Sequence, residues 1–159
     1  MVNDEVRLNG YGEVVKQEWF QSAQIRREIE LDAFVIMPNH IHGIVIIHEP
    51  VGANGVRPIQ TNGGLPQRMK PKSLPSFVAG FKSSATKHIN KLRNIPDIPI
   101  WQRNYYEHII RNENELNLIR GYIIDNSLQW QFDKENPQCI QDKVYEKQWA
   151  RLEDMLYNK

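Results

Sequence analysis

Apolar residues recur at helical spacing near the start of the chain. Tyr11, Val14, Val15 and Trp19, with Glu18 among them, predict an amphipathic helix from about Gly10 to Ser22. After a charged connection at Arg26, Arg27 and Glu28, the period changes. Ile29 to Met37 and His40 to His48 are two apolar, β-branched runs flanking Pro38-Asn39, the pattern of two strands joined by a tight turn. In the second run, His40, His42, Ile44, Ile46 and His48 share one face, and Ile41, Gly43, Val45 and Ile47 the other. Both faces are largely apolar, which predicts a central rather than an edge strand. From Glu49 to Lys72, Gly, Pro, Asn and Gln dominate and predict a long loop. Ser73 then reads as an N-cap with Pro75 in the first turn. The helix it opens runs to about Arg93, with Val78, Phe81, Ala85, Ile89 and Leu92 as its stripe. Ile100 to Arg111 is aromatic and β-branched and predicts a further strand. Asn112 with Glu115 three residues on reads as a capping box. The helix after it buries Leu116, Ile119, Ile123 and Trp130 and places Tyr122 and Asn126 together on a neighbouring stripe. Asp133 to Gln141 reads as a polar linker, and Val144, Trp149, Leu152, Met155 and Leu156 predict a last amphipathic helix.

Composition narrows the class. With 159 residues, 40% hydrophobic and 25% charged, the chain has the size and balance of one globular domain. The single cysteine, Cys139, excludes an intrachain disulfide and suits a reducing compartment. No apolar run approaches membrane-spanning length, and the polar, acidic start does not resemble a signal peptide, so the expected location is cytoplasmic. The net charge of +1 hides a local asymmetry. No acidic residue occurs between Lys70 and Arg93, while Arg57, Arg68, Lys70 and Lys72 in the loop and Lys82, Lys87, Lys91 and Arg93 on the helix are all basic. Such a run is either a solvated helix face or a surface for phosphate.

The residues with most chemistry are His40 and His42. Side chains two apart on a strand point the same way, so the two imidazoles stand where they can grip one cation. A His-X-His pair on a strand is also a common structural feature, and the spacing alone leaves both readings open. Tyr122, with Asn126 one helical turn on, lies beside an apolar stripe, and taken alone reads as core. Tyr105 and Tyr106 suit packing or base stacking better. His48 lies too far along its strand to join His40 and His42, His108 reads as structural, and Arg103 and Arg111 suit either phosphate or exposed ion pairs. A two-histidine phosphodiesterase is disfavoured, because His88-Ile89-Asn90 and His108-Ile109-Ile110 lack the second His-x-Ser/Thr pair such an enzyme uses.

Taken together, several ordered segments resemble the single-tyrosine HUH transposases, most closely the REP-associated tyrosine transposases. They are Phe34-Val35-Ile36-Met37-Pro38-Asn39-His40-Ile41-His42-Gly43, Phe81-Lys82-Ser83, Trp101 to Arg111, Tyr122-Ile123-Ile124-Asp125-Asn126, and Trp130. The likeness spans roughly residues 7 to 137, with 138 to 159 as a C-terminal helix outside it. The resemblance implies an α+β, ferredoxin-like or RRM-like fold, an antiparallel sheet with helices packed on one face. Too few residues precede Tyr11 for the family's usual first strand, and Ser127 stands where many relatives have proline. The resemblance further implies His40, His42 and Asn126 as ligands of a divalent metal, Mg²⁺ or Mn²⁺, and Tyr122 as catalytic nucleophile. Single-stranded or hairpin DNA would be the partner, met by Arg68, Lys70, Lys72, Lys82, Lys87 and Arg103; a homodimer is open. The implied activity is nicking and rejoining DNA through a 5′-phosphotyrosine. A shortened, catalytically impaired remnant that only binds DNA hairpins is the alternative.

Overall fold

The computed structural model describes residues 7–48, 71–127, 130–133 and 136–140, together with the helical positions 143, 147, 150 and 154. The element order is α1 (Gly10–Gln24), β1 (Ile29–Ile36), β2 (Ile41–Ile47), α2 (Leu74–Arg93) and α3 (Glu113–Asn126), with a 3₁₀ turn at Trp130–Phe132. The fold is α+β: a two-stranded antiparallel sheet packed against helices, consistent with a ferredoxin-like arrangement short of a strand. The chain divides into two compact units. One gathers Ala33–Ile44 and the described residues from Gln102 onward; the other gathers Asn9–Asp32 and the described residues of Val45–Trp101.

The second of these units is held by α1 against α2. Asn9 caps α1 by accepting from the Tyr11 and Gly12 backbone N–H groups. Trp19 is buried and meets Phe77 and Phe81 edge-on, with ring centroids 5.3 and 5.2 Å away. Phe77, Phe81, Ala85 and Ile89 form the buried face of α2, so the stripe is anchored by Phe77; Leu92 is exposed. Arg26 lies across this helix, donating to the Ser76 hydroxyl and carbonyl oxygens at 3.1 and 2.9 Å. A Cβ on Gly80 would stand 2.9 Å from the Arg26 guanidinium, so the glycine lets the arginine approach. The Glu18 carboxylate is buried and accepts from the Ser84 hydroxyl and pairs with His88 Nδ1. Ser73 and Ser76 make a reciprocal capping box at the start of α2, and Asn94 ends it in the left-handed conformation, with φ 53°.

The other unit carries the inner half of the hairpin, α3, and the turns after it. Met37 N–H donates to the His40 carbonyl at 2.8 Å and closes the turn at Pro38-Asn39. Met37, Ile44 and Ile123 are buried here. Asn112 caps α3 by accepting from Glu115 N–H.

Three expectations are corrected. Residues 100–111 form no strand: Tyr106 is 60% and Ile109 71% exposed, so among the described residues the run's aromatic and β-branched side chains share no common covered face. The helix from Asn112 ends at Asn126, so Trp130 belongs to the following 3₁₀ turn and not to its stripe. Among the described residues β2 has a single neighbouring strand, so its two apolar faces do not make it central. At the C-terminus, Lys143, Lys147, Ala150 and Asp154 are helical and exposed; the rest of the expected last helix, its apolar members included, lies outside the described residues.

Candidate active site

His40 sits at the mouth of the hairpin turn and His42 two residues on in β2. Their Nε2 atoms are 3.0 Å apart, and the rings meet edge to face with centroids 4.7 Å apart. On the other side of His40, Asn39 Oδ1 lies 2.7 Å from Nδ1. An amide oxygen only accepts, so Asn39 Oδ1 takes a hydrogen carried on His40 Nδ1, while His40 Nε2 faces His42 Nε2.

Helix α3 brings up the phenol. Its N-terminus is pinned by Glu115, whose carboxylate takes the Arg111 backbone N–H at 2.8 Å and pairs with His108 Nε2 at 2.8 Å. The expected capping box is therefore half made: Asn112 serves Glu115 N–H, but the Glu115 side chain serves Arg111 and His108. With Ile123 buried as the anchor of the helix, Tyr122 presents its hydroxyl 3.3 Å from His42 Nε2, with ring centroids 5.2 Å apart. One turn further, Asn126 is 1% exposed, and neither its Oδ1 nor its Nδ2 has a hydrogen-bond partner among the described residues. Both atoms of a buried amide are normally paired, and an idle one costs about 1–3 kcal/mol.

The segment expected to be a polar linker closes the site. Trp130 packs beside His40 with centroids 6.1 Å apart. Asp133 N–H donates to the Trp130 carbonyl at 3.2 Å, Asn136 N–H to the Asp133 carbonyl at 3.0 Å, and Ile140 N–H to the Gln131 carbonyl at 2.7 Å. This knot buries Asp133 to 6% exposure and sets its Oδ2 3.9 Å from His40 Nε2. Nothing in the sequence singles Asp133 out, since its approach to His40 depends on a chain reversal nearly a hundred residues away.

The electrostatics keep His42 neutral. Its pKa is lowered to about 4, chiefly by burial and then by the neighbouring His40, against a smaller upward pull from Asp133. Among the described residues, no three His, Cys, Asp or Glu side chains already stand at metal-ligating positions, so a donor set here needs the Asn126 amide or a shift of Asp133.

The remaining residues singled out from the sequence scatter. His48 pairs with Glu30 at 2.7 Å on the far part of the hairpin. Lys72 and Arg103 are exposed, and Arg68 and Lys70 lie outside the described residues. Lys82 has its ammonium 6.0 Å from the centre of the Trp101 ring and its pKa lowered by burial. With exposed Lys87 and Lys91 it lines a groove of about 770 Å³ between α2 and the 94–101 segment, floored by Trp101. Tyr105 donates to Glu107 at 3.3 Å, and its phenol pKa is raised by burial and then by that carboxylate. No helix among the described residues is long and apolar enough to cross a membrane.

An "Uncharacterized protein" of Haemophilus influenzae is 39% identical to this chain over 135 residues, covering 84% of this chain and 74% of the relative. The chain belongs to that protein's family. No protein-family model and no solved structure matches it. The matched length is great enough to include most of the chain on which the site is built, but the relative's description carries no activity.

Proposed function

We propose that the protein is a metal-dependent DNA strand transferase that nicks and rejoins single-stranded or hairpin DNA with Tyr122 as nucleophile. The observation that carries this reading is the Tyr122 hydroxyl 3.3 Å from His42 Nε2, in a cluster that also holds His40 and an idle buried amide at Asn126. The approach is made within one chain.

The donors fit a divalent cation. His40 and His42 offer nitrogen, and Asn126 offers a buried oxygen for which no protein donor is present among the described residues. Such an ion, when bound, polarises a phosphate oxygen and lowers the cost of ionising the phenol. The chain's residues do the rest. A free phenol, with a pKa of about 10, is a poor nucleophile at neutral pH, so the placement of Tyr122 beside the histidines is what activates it. Attack forms the bond from Tyr122 Oη to phosphorus and breaks the phosphorus bond to the 3′ oxygen. The phenol gives up its proton and the departing 3′ oxygen takes one. Because one phosphodiester replaces another, the reverse attack by a 3′ hydroxyl rejoins the strand without ATP. Lys82, Lys87 and Arg103 supply positive charge for the DNA backbone.

The test is a nicking assay on single-stranded hairpin DNA with Mn²⁺, with the 5′-phosphotyrosine trapped on a denaturing gel. Wild type forms the adduct, and Tyr122→Phe forms none while retaining hairpin binding. Equal cleavage by the two proteins removes Tyr122 as nucleophile. Hairpin binding without cleavage by wild type selects the impaired remnant instead.

A further inference from the structure

We propose that the groove between α2 and the 94–101 segment is a nucleotide site, taking a base against its apolar wall and a phosphate on Lys87 and Lys91. The inference uses no residue of the histidine cluster and stands whether or not Tyr122 cuts DNA. The groove has a volume of about 770 Å³, within the roughly 300–1,000 Å³ of sites that take small molecules and cofactors. Its two walls differ in chemistry. On α2, Lys87 and Lys91 stand one helical turn apart, both exposed and neither ion-paired among the described residues. Like charges at that spacing repel by about 0.2–0.5 kcal/mol, so an anion between them gains from both. Lys82 adds a third cation to this wall, its ammonium 6.0 Å from the centre of the Trp101 ring. Asp97 is the single acid among the described residues that line the groove.

The opposite wall is apolar, with Ile95 and Ile98 exposed beside Pro96 and Pro99. Trp101 at the floor is held in one orientation: its indole N–H donates to the Lys82 carbonyl at 3.1 Å, and its ring packs on Phe81 with centroids 5.4 Å apart. A ring fixed in this way loses little freedom when a flat ligand lies against it. Asn90 ties the two walls by donating from Nδ2 to the Ile98 carbonyl at 2.9 Å. Its Oδ1 is buried and has no donor among the described residues. A nucleotide matches all three features: a flat base for the apolar wall, N–H groups on the base edge for an acceptor, and a phosphate for the lysines. A fatty acid offers the anion and the apolar body but no N–H donor. A run of aspartate and glutamate offers charge but no flat face.

Isothermal titration calorimetry on the full chain in EDTA tests this without metal or cleavage, with the nucleotide supplied as dAMP or as a single-stranded deoxyadenosine hexamer. Wild type binds both. The double variant Lys87→Ala/Lys91→Ala, which alters only exposed side chains, binds dAMP about 10–100-fold more weakly, the loss expected for charge-assisted contacts to phosphate. A hexamer of abasic deoxyribose phosphates binds about tenfold more weakly than the deoxyadenosine hexamer, because it keeps the charge and loses the stacking. The two probes separate the sources of the nucleotide. A hexamer bound more than about sixfold tighter than dAMP, beyond what its repeated copies account for, assigns the groove to a nucleotide within a strand, and a smaller ratio assigns it to a free nucleotide. If wild type binds neither probe, or the double variant binds dAMP as wild type does, the groove is not a nucleotide site. If the abasic hexamer or a hexaglutamate peptide binds as tightly as the deoxyadenosine hexamer, the lysines hold an anion only, and the proposal is overturned.

Discussion

Replacing Asn126 by leucine should make the metal-free protein more stable and blind it to metal. Asn126 is 1% exposed, and both amide atoms lack a hydrogen-bond partner among the described residues. Asparagine and leucine carry the same number of side-chain heavy atoms in the same branched shape, so the change leaves no cavity and forces little strain. It removes a buried polar group whose idleness costs about 1–3 kcal/mol. In a chain of this size 1 kcal/mol moves the melting temperature by about 2–4 °C, so Asn126→Leu in EDTA should melt several degrees above wild type. Mn²⁺ should then reverse the order. At a concentration 100 times its dissociation constant, wild type gains about 2.7 kcal/mol and Asn126→Leu gains nothing. Circular dichroism melts with EDTA and with Mn²⁺ give all four values. If Asn126→Leu melts well below wild type in EDTA, the amide has an internal partner and is not kept free for a ligand. If the variant keeps the full Mn²⁺ shift, Asn126 is not a ligand.

Three other outcomes follow from named contacts. In EDTA, stability should rise with pH from about 4 to about 6.5 and then level off: the folded His42 pKa is lowered from 6.5 to about 4, so the unfolded chain binds the extra proton in that window. The rise amounts to about 3 kcal/mol in all, is read by urea titration across pH, and should vanish in His42→Ala. Glu18→Gln should cost about 1–3 kcal/mol, because Ser84 and His88 both turn toward the buried carboxylate; an unchanged urea midpoint would show that its charge does not hold α1 to α2. Lys87→Ala should lower the salt slope of hairpin-DNA binding by about 1, measured by fluorescence anisotropy between 50 and 200 mM salt, whereas an unchanged slope would remove Lys87 from phosphate contact.

Local signals determined much of this protein before any tertiary contact was known. Ser73, Pro75 and Asn94 mark α2 because caps and a fixed proline φ act within one turn. Pro38-Asn39 between two β-branched runs marks the hairpin, and with it the common side of His40 and His42. The four-residue spacing places Tyr122 and Asn126 on one stripe of α3 by helix geometry alone. The 102–111 run shows where such signals end: its residues favour a strand, yet strand formation requires a neighbour to pair with and a face to cover, and neither is local. The same limit hid Phe77 in place of Leu92 at the core, since only the position of Trp19 on α1 decides which edge of α2 is covered. It hid Asp133 most completely. A carboxylate in a polar stretch looks solvated until the turns around Trp130 and Asn136 bury it and point it at a histidine from the hairpin. Side-chain identity set what chemistry was possible; only the long-range return of the chain decided which groups stand close together around His40 and His42.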